Sequence, residues 1–131
     1  MSSRRSLPEV ERIGKAELVE ASRAAGAGRW VALERPGAWV GLGTVEPGAP
    51  RRWHRHPGQE MLLYIVEGTL RLEFGPLGHG TLQGRPGDFV RIAPGALHRE
   101  TALGKGVAKF VLLRLGKGPP AIEYVVPPPR G

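Results

Sequence analysis

Glycine and proline recur along this chain at short intervals, and this spacing limits the folds that the chain can adopt. The 20 glycines and 13 prolines make up about a quarter of the 131 residues. Many stand together in dipeptides such as Pro36-Gly37, Pro57-Gly58, Pro86-Gly87 and Pro94-Gly95, which favour tight turns. Because turns this frequent leave only short segments between them, the sequence predicts a single all-β domain.

Nine short strands are predicted between these turns. They cover residues 29–34, 38–46, 51–56, 60–67, 69–75, 80–84, 87–92, 96–101 and 106–115. Strands of this number and spacing are typical of a sandwich or a small barrel. The predicted organisation is therefore an N-terminal arm (1–28), a barrel (29–118) and a proline-rich tail (119–131).

The two ends of the chain carry different patterns. Residues 9–25 are the one helix candidate, because their apolar residues follow roughly helical spacing and Gly26 would end the helix. The prolines of the tail lack N–H groups and favour an extended path over the surface. Along that path Ile122, Tyr124 and Val126 alternate and are expected to dock on one face.

The composition excludes several kinds of chemistry. The chain has no cysteine, which excludes disulfides, thiolate metal sites and cysteine nucleophiles. Serine occurs only at positions 2, 3, 6 and 22, so a serine hydrolase would have no nucleophile in the body of the chain. Asparagine and cysteine are both absent, a composition typical of thermophiles, although a GC-rich genome biases usage in the same direction.

Charge and hydropathy indicate where the protein works. No apolar run approaches the ~18 residues of a membrane span, and the N-terminus lacks the apolar stretch of a secretory signal, so a soluble cytoplasmic protein with no membrane partner is expected. The net charge is +7, which could indicate a nucleic-acid partner. Because the basic residues are spread along the whole chain, an arginine-rich soluble surface is favoured over a nucleic-acid-binding one.

The histidines point to a metal site. All four lie between residues 54 and 98, and His54 and His56 flank Arg55 in a predicted strand. Side chains two residues apart in a strand share a face, so both imidazoles can point at one spot while Arg55 points away. Neutral imidazole is a common ligand of divalent metals, and His98 is the obvious further donor. The alternative is a metal-free site in which the imidazoles hydrogen-bond to each other and to water; His79 is expected to be exposed to solvent.

These residues resemble the two sequence motifs of the cupin superfamily. The first motif is G, five residues, H-x-H, three or four residues, E, six residues, G; the second begins G, five residues, P-x-G, two residues, H. The matching residues here are Gly48, His54, His56, Glu60 and Gly68 for the first motif, and Gly87, Gly95 and His98 for the second. The resemblance covers roughly residues 38–115.

The resemblance implies a fold, a cofactor and an assembly. The fold is a double-stranded β-helix, or small jelly-roll barrel, whose interior binds a divalent metal ion (Fe, Mn, Zn, Ni or Cu) through three histidines and a glutamate. The implied ligands are His54, His56, Glu60 and His98. Cupins are commonly homodimers, so a homodimer is expected.

The glutamate position departs from the pattern. Seven residues rather than six separate Glu60 from Gly68, so an ungapped alignment puts Met61 in the glutamate slot. A one-residue bulge in this strand would turn Glu60 inward, whereas a regular strand would leave three histidines with Met61 beside them. We favour Glu60, because a carboxylate there balances the charge of a divalent cation.

Further residues are candidates for a substrate pocket. Arg52 has the strand parity of the two histidines and could bind a carboxylate or phosphate, whereas Arg51 would face outward by the same count. Met61, Phe89 and Arg91 complete the candidate pocket; solvent-exposed surface is the alternative for both Arg52 and Arg91.

The sequence thus predicts a metal-binding cupin that acts on a small organic molecule. Dioxygenase, isomerase and decarboxylase chemistry are all open to such a site, with Glu60 as the candidate catalytic base. A non-catalytic binding or regulatory module is the alternative, since one fold supports many functions.

Overall fold

The protein consists of two antiparallel sheets in a computed structural model that describes residues 8–24, 26–75, 78–117 and 122–125. Its strands are β1 (Val19–Ala24), β2 (Ala27–Arg35), β3 (Ala38–Val45), β4 (His54–Arg55), β5 (Gln59–Glu67), β6 (Thr69–Phe74), β7 (Gly80–Gly84), β8 (Phe89–Ile92), β9 (His98–Leu103), β10 (Ala108–Gly116) and β11 (Glu123–Tyr124). One sheet has the order β1-β2-β3-β10-β5-β8 and the other the order β11-β4-β9-β6-β7. This architecture confirms the predicted all-β double-stranded β-helix, and each of the nine predicted strands is present.

The core lies where the two sheets face each other. Alternate residues of β5 and β10 point into it, so Met61, Leu63 and Ile65 are buried while Tyr64 and Val66 are exposed. Leu70 and Leu72 of β6 meet them from the second sheet. Burial of each such side chain contributes about 1.5–3 kcal/mol, and this apolar packing holds the two sheets together around the interior space described below.

The N-terminal segment is a strand where the sequence predicted a helix. The helical part is limited to a three-residue 3₁₀ turn, Lys15–Glu17, and the following residues form β1, which pairs with β2. All six side chains of β1 are exposed, so a helix here would have had no apolar face to bury, whereas the free edge of β2 offers backbone hydrogen bonds. The first sheet consequently begins before residue 29. No helix in the described ranges has the length and hydropathy needed to cross a membrane.

Part of the C-terminal segment joins the second sheet. Glu123 and Tyr124 of β11 pair with Arg55 and His54 of β4, and the backbone N–H of Val125 donates to the carbonyl of Trp53 at 3.0 Å. Val126 and the last prolines of the predicted tail lie outside the described residues. The docked strand covers one side of the histidine-bearing segment.

Gly41 of β3 lies at a tight approach between strands, and alanine there is expected to destabilise the fold. A Cβ at this position would collide with the carbonyl oxygen of Trp30 and lie 2.6 Å from Cη2 of the buried Trp39. We expect Gly41→Ala to lower the free energy of unfolding by about 1–3 kcal/mol, measured by urea denaturation. Gly106→Ala is the matched control, because a Cβ there meets nothing within 4 Å; its effect should stay within about 0.5 kcal/mol. Equal effects of the two substitutions would contradict the packing argument.

Candidate metal centre

Three histidines from two separate stretches of the chain meet between the sheets. His54 and His98 are direct partners in the pairing of β4 with β9, and their ring centroids lie 4.3 Å apart. His56 follows two residues after His54, with its ring centroid 5.6 Å from that of His98. All three are at least 95% buried, whereas Arg55 between them is exposed and pairs with Glu123. The alternation expected from the sequence thus places both imidazoles of the H-x-H pair inside.

Backbone carbonyls fix the orientation of two of the rings. Nδ1 of His54 lies 2.8 Å from the carbonyl oxygen of Arg52, and Nδ1 of His98 lies 2.9 Å from that of Ala96. A carbonyl can only accept, so in each neutral ring Nδ1 carries the proton and Nε2 keeps a free lone pair. The turn before β9 also ties the two stretches together, because the N–H of Gly95, which has a φ of +72°, donates to the carbonyl of His56 at 3.1 Å.

The three imidazoles fit a single metal ion. In the described part of the chain they form a group whose potential ligand atoms all lie within 4.8 Å of one another. With metal–nitrogen bonds of about 2.1 Å, donor atoms lie roughly 3.0–3.4 Å apart, so each ring would need to shift by less than about 1 Å. Burial lowers the pKa of His98, an effect that the carboxylate of Glu100 opposes and the charge of His54 reinforces. His98 is therefore neutral at pH 7, as a metal ligand must be.

Glu100 is a buried carboxylate beside this group that the sequence reasoning missed. Its Oε2 lies 3.6 Å from Nε2 of His54 and 3.7 Å from Nε2 of His98. Its Oε1 accepts hydrogen bonds from Arg51 at 2.6 Å and from Arg29 at 3.2 Å. The signal was present in the sequence: Glu100 stands two residues after His98 in the same strand and therefore shares its face.

The surroundings of Glu100 keep it ionised. Burial alone raises the pKa of a carboxyl group, but the charges of His54, Arg29, Arg51 and His98 outweigh this effect and hold the pKa of Glu100 well below its ordinary value. A group with such a low pKa is a poor proton acceptor near neutral pH. It is, however, a permanent negative charge within 3.7 Å of Nε2 of His54 and of His98.

Glu60 lies outside the site, which corrects our preference for it over Met61. The pairing of β5 with β10 is regular from Gln59 to Ile65, and the irregularity in this strand lies at Val66. No bulge therefore turns Glu60 inward; its side chain is on the outer face of the sheet, where Arg91 donates to it. Met61 is 4% exposed and lines the cavity beside the histidines.

The other predicted pocket residues divide between the cavity and the surface. Arg52 lies at the rim of the cavity, with its guanidinium carbon 4.0 Å from the ring centroid of Tyr124. Arg51, expected to face outward, instead reaches the interior and binds Glu100. The parity count fails because β4 begins only at His54, so residues 51–53 do not alternate as a regular strand does.

Phe89 and Arg91 do not belong to the pocket. Both lie on the outer face of β8, whose alternate residues Val90 and Ile92 point into the core. Phe89 is 66% exposed and packs against Tyr64, with ring centroids 4.8 Å apart. Arg91 is exposed and forms its ion pair with Glu60, so it follows the solvent-exposed alternative stated above.

A cavity of about 190 Å³ adjoins the histidines. Its wall includes Met61, Leu63 and Phe110 as apolar residues, and Glu100 as the carboxylate. Five arginines also line it: Arg23, Arg29, Arg51, Arg52 and Arg114. The cavity therefore combines a candidate metal centre, an apolar wall and an excess of positive charge.

The comparisons with known proteins decide the family. The sequence profile described as the cupin domain matches residues 41–114, which is more than half of the chain. This chain belongs to the cupin family. The cupin match includes all three buried histidines and confirms the resemblance inferred from the motifs. Among curated proteins, none matches the sequence of this cupin significantly.

Solved structures share the fold of this cupin at low sequence identity. An uncharacterised conserved protein with a double-stranded β-helix domain from Klebsiella pneumoniae superposes with a TM-score of 0.70 at 20% identity, over 92% of this chain and 99% of its own. The polyketide cyclase RemF from Streptomyces resistomycificus gives a TM-score of 0.71 at 19% identity, over 89% of this chain and 86% of its own. The oxalate decarboxylase of Bacillus subtilis, which has Mn(II) centres, gives a TM-score of 0.69 at 22% identity. The match covers 84% of this chain but 30% of the decarboxylase chain. Identities this low show a common fold and leave the activity to be argued from the site.

Proposed function

We propose that this cupin binds one divalent metal ion through His54, His56 and His98 and acts as a metal-dependent enzyme on a small organic molecule. The observation that carries the proposal is the convergence of three buried imidazoles, two of them with Nδ1 held by a carbonyl and Nε2 left free. The Mn(II) centres of the oxalate decarboxylase with the same fold support a divalent ion of this kind. Fe, Mn, Zn, Ni and Cu all accept imidazole ligands.

The residues around the histidines would have separate roles in binding the metal and shaping the cavity. The carbonyls of Arg52 and Ala96 hold the His54 and His98 rings in the tautomer that presents Nε2, and Glu100 supplies negative charge beside them through Oε2. Met61 and Phe110 keep part of the cavity wall apolar and limit water. A divalent ion held there would act as a Lewis acid toward an oxygen of the substrate or, if redox-active, exchange electrons with it.

Reactions open to such a site include oxidation by dioxygen, isomerisation and decarboxylation. The test is elemental analysis of the purified protein, followed by reconstitution with Mn, Fe, Zn, Ni or Cu and assays with small enediols, catechols and carboxylic acids. One metal ion per chain with turnover of a substrate would support the enzyme. Stoichiometric metal with ligand binding but no turnover would favour the non-catalytic module, and a protein that binds none of these ions would overturn the proposal.

Metal binding should weaken in acid. A proton on an imidazole excludes the metal, and an ordinary histidine has a pKa of about 6.5. Because burial lowers the pKa of His98, this ligand stays neutral to a lower pH than an exposed histidine would. We expect the apparent affinity for Zn²⁺ to be nearly constant between about pH 7 and 8 and to fall only below about pH 6.5, measured by competition with a chromophoric chelator. An affinity that is still rising steeply above pH 7 would contradict this expectation.

The homodimer expected from the cupin resemblance stays a prediction. Light scattering coupled to size-exclusion chromatography measures it directly, because one chain and two differ twofold in mass. The measurement should be made with and without added metal, since a ligand that binds only one assembly state shifts the equilibrium toward it.

A further inference from the structure

Arg114 is a buried cation with no carboxylate at ion-pair distance among the described residues. It is 9% exposed and points inward from β10, on the same face as Phe110 and Leu112. Its Nε is buried and makes no hydrogen bond, and the guanidinium has no ion pair within the described residues. The guanidinium lies over the indole of Trp39, with its carbon 4.9 Å from the ring centroid. A buried charge without a close counter-ion is costly to a fold, and an anionic ligand beside the guanidinium would reduce that cost.

The neighbouring charges increase the need for an anion. Glu100 is the sole carboxylate among the described residues lining the cavity, and its Oε1 is already shared between Arg29 and Arg51. Arg51 also keeps a buried Nε with no hydrogen-bond partner. Burial lowers the pKa of Arg114 and the charge of Arg29 adds to this effect, while the carboxylates of Glu100 and Glu34, which form no ion pair with it, oppose it. The described residues thus leave positive charge in excess beside the histidines.

The volume of the cavity suits a small anion. An apolar cavity of about 150 Å³ holds benzene, so the space of about 190 Å³ beside the histidines holds a small organic acid, and its open side is lined by exposed residues such as Arg23 and Tyr124. The guanidinium plane is complementary to a carboxylate, which it can bind through two parallel hydrogen bonds. A phosphate dianion would need more donors, and those of Arg29 and Arg51 that are directed at Oε1 of Glu100 are occupied.

We propose that the cavity binds a small organic acid whose carboxylate pairs with Arg114, beside the metal centre. The substrate class of this cupin is then a small carboxylic acid that occupies the cavity together with the metal ion. The assignment of this acid as substrate rests on the proposed function. The anion site itself depends on Arg114 and can be tested without metal.

The test compares the wild type with Arg114→Met, Arg114→Lys and, as matched control, Arg91→Met. Arg91 is an exposed arginine that already has a partner and lies outside the cavity. The probes are oxalate, pyruvate and lactate, the neutral amides of pyruvate and lactate, and inorganic phosphate. Their affinities are measured by titration calorimetry on metal-free and Zn²⁺-loaded protein, with Tm and zinc content recorded for each variant.

We expect at least one of the three carboxylates to bind the wild type and Arg91→Met alike, and to bind at least tenfold more tightly than the amides and phosphate. Arg114→Met should weaken that carboxylate at least tenfold, whereas Arg114→Lys should retain part of the affinity. Zinc content should be unchanged, and the Tm of the ligand-free Arg114→Met protein should be equal or higher because a buried charge is gone.

Other results would overturn the inference. Carboxylate affinity that survives Arg114→Met, equal binding of the amides, or no binding of any carboxylate to the wild type would each do so. A lower Tm in Arg114→Met with unchanged carboxylate affinity would assign Arg114 to the packing of Trp39. The two proposals fail separately, because carboxylate binding to metal-free protein does not depend on the metal, and zinc content does not depend on the carboxylate.

Discussion

His54→Ala is expected to lower the affinity of this protein for divalent metal by more than about 100-fold. The substitution removes one of the three clustered imidazoles, that of the residue opposite His98 in the pairing of β4 with β9, and leaves at most two to hold the ion. Loss of a residue that merely orients a ligand costs about 10–100-fold in metal affinity, so loss of a ligand should cost more. The measurements are metal content after dialysis and a competition titration with Zn²⁺.

His79→Ala is the matched control for this prediction. His79 is an exposed histidine in the loop before β7, away from the buried group, and its removal should leave one metal ion bound per chain with unchanged affinity. Circular dichroism of both variants checks that the sheets are intact. If His54→Ala binds metal as tightly as His79→Ala does, the three histidines are not the metal site.

The histidine cluster proposed as the metal centre could be predicted largely from the sequence, because strand alternation places two of its three members. Strand alternation places His54 and His56 on one face and Arg55 on the other, and the structure has that arrangement. Joining His98 to them required a contact distant in sequence, which no periodicity gives. The resemblance to the two cupin motifs predicted this contact. In the structure, His54 and His98 are opposite each other in the pairing of β4 with β9.

Where local rules failed, the cause lay in contacts that the sequence does not display. Parity misplaced Arg51 because the strand it was assigned to begins only at His54. The helical spacing of residues 9–25 was overruled by the open edge of β2, with which residues 19–24 pair. A bulge does occur in β5, but at Val66, where it has no influence on Glu60.

Glu100 and Arg114 show a different kind of failure. Each follows an inward-facing residue by two positions, Glu100 after His98 and Arg114 after Leu112, so alternation alone would have placed both inside. Charged residues are almost always exposed, so neither residue was predicted to lie in the interior. A charged residue in the inward register of a predicted strand is therefore better treated as a candidate for function than as an exception.

Glu100→Ala is expected to be the most destabilising of the substitutions considered for the metal-free protein. Glu100 is buried and accepts hydrogen bonds from both Arg29 and Arg51, whose side chains are each 14% exposed. Removing one member of a buried charge group leaves the others uncompensated and costs about 3–5 kcal/mol. Urea denaturation at pH 7 in the presence of a chelator measures the change in the free energy of unfolding.

The pH dependence of the destabilisation by Glu100→Ala follows from the direction in which the pKa of Glu100 is shifted. The pKa of Glu100 is lower in the folded protein than the ordinary value, so its contribution to stability is present above the pKa of about 4.3 for an unfolded glutamate and is lost as the pH falls below it. The difference in the free energy of unfolding between the wild type and Glu100→Ala should accordingly shrink in acid below about pH 4.

Glu60→Ala is the control for Glu100→Ala. Glu60 forms its ion pair with the exposed Arg91, and such pairs contribute about 1 kcal/mol or less. Similar losses for the two variants at pH 7 would mean that the buried carboxylate does not hold the two arginines in place.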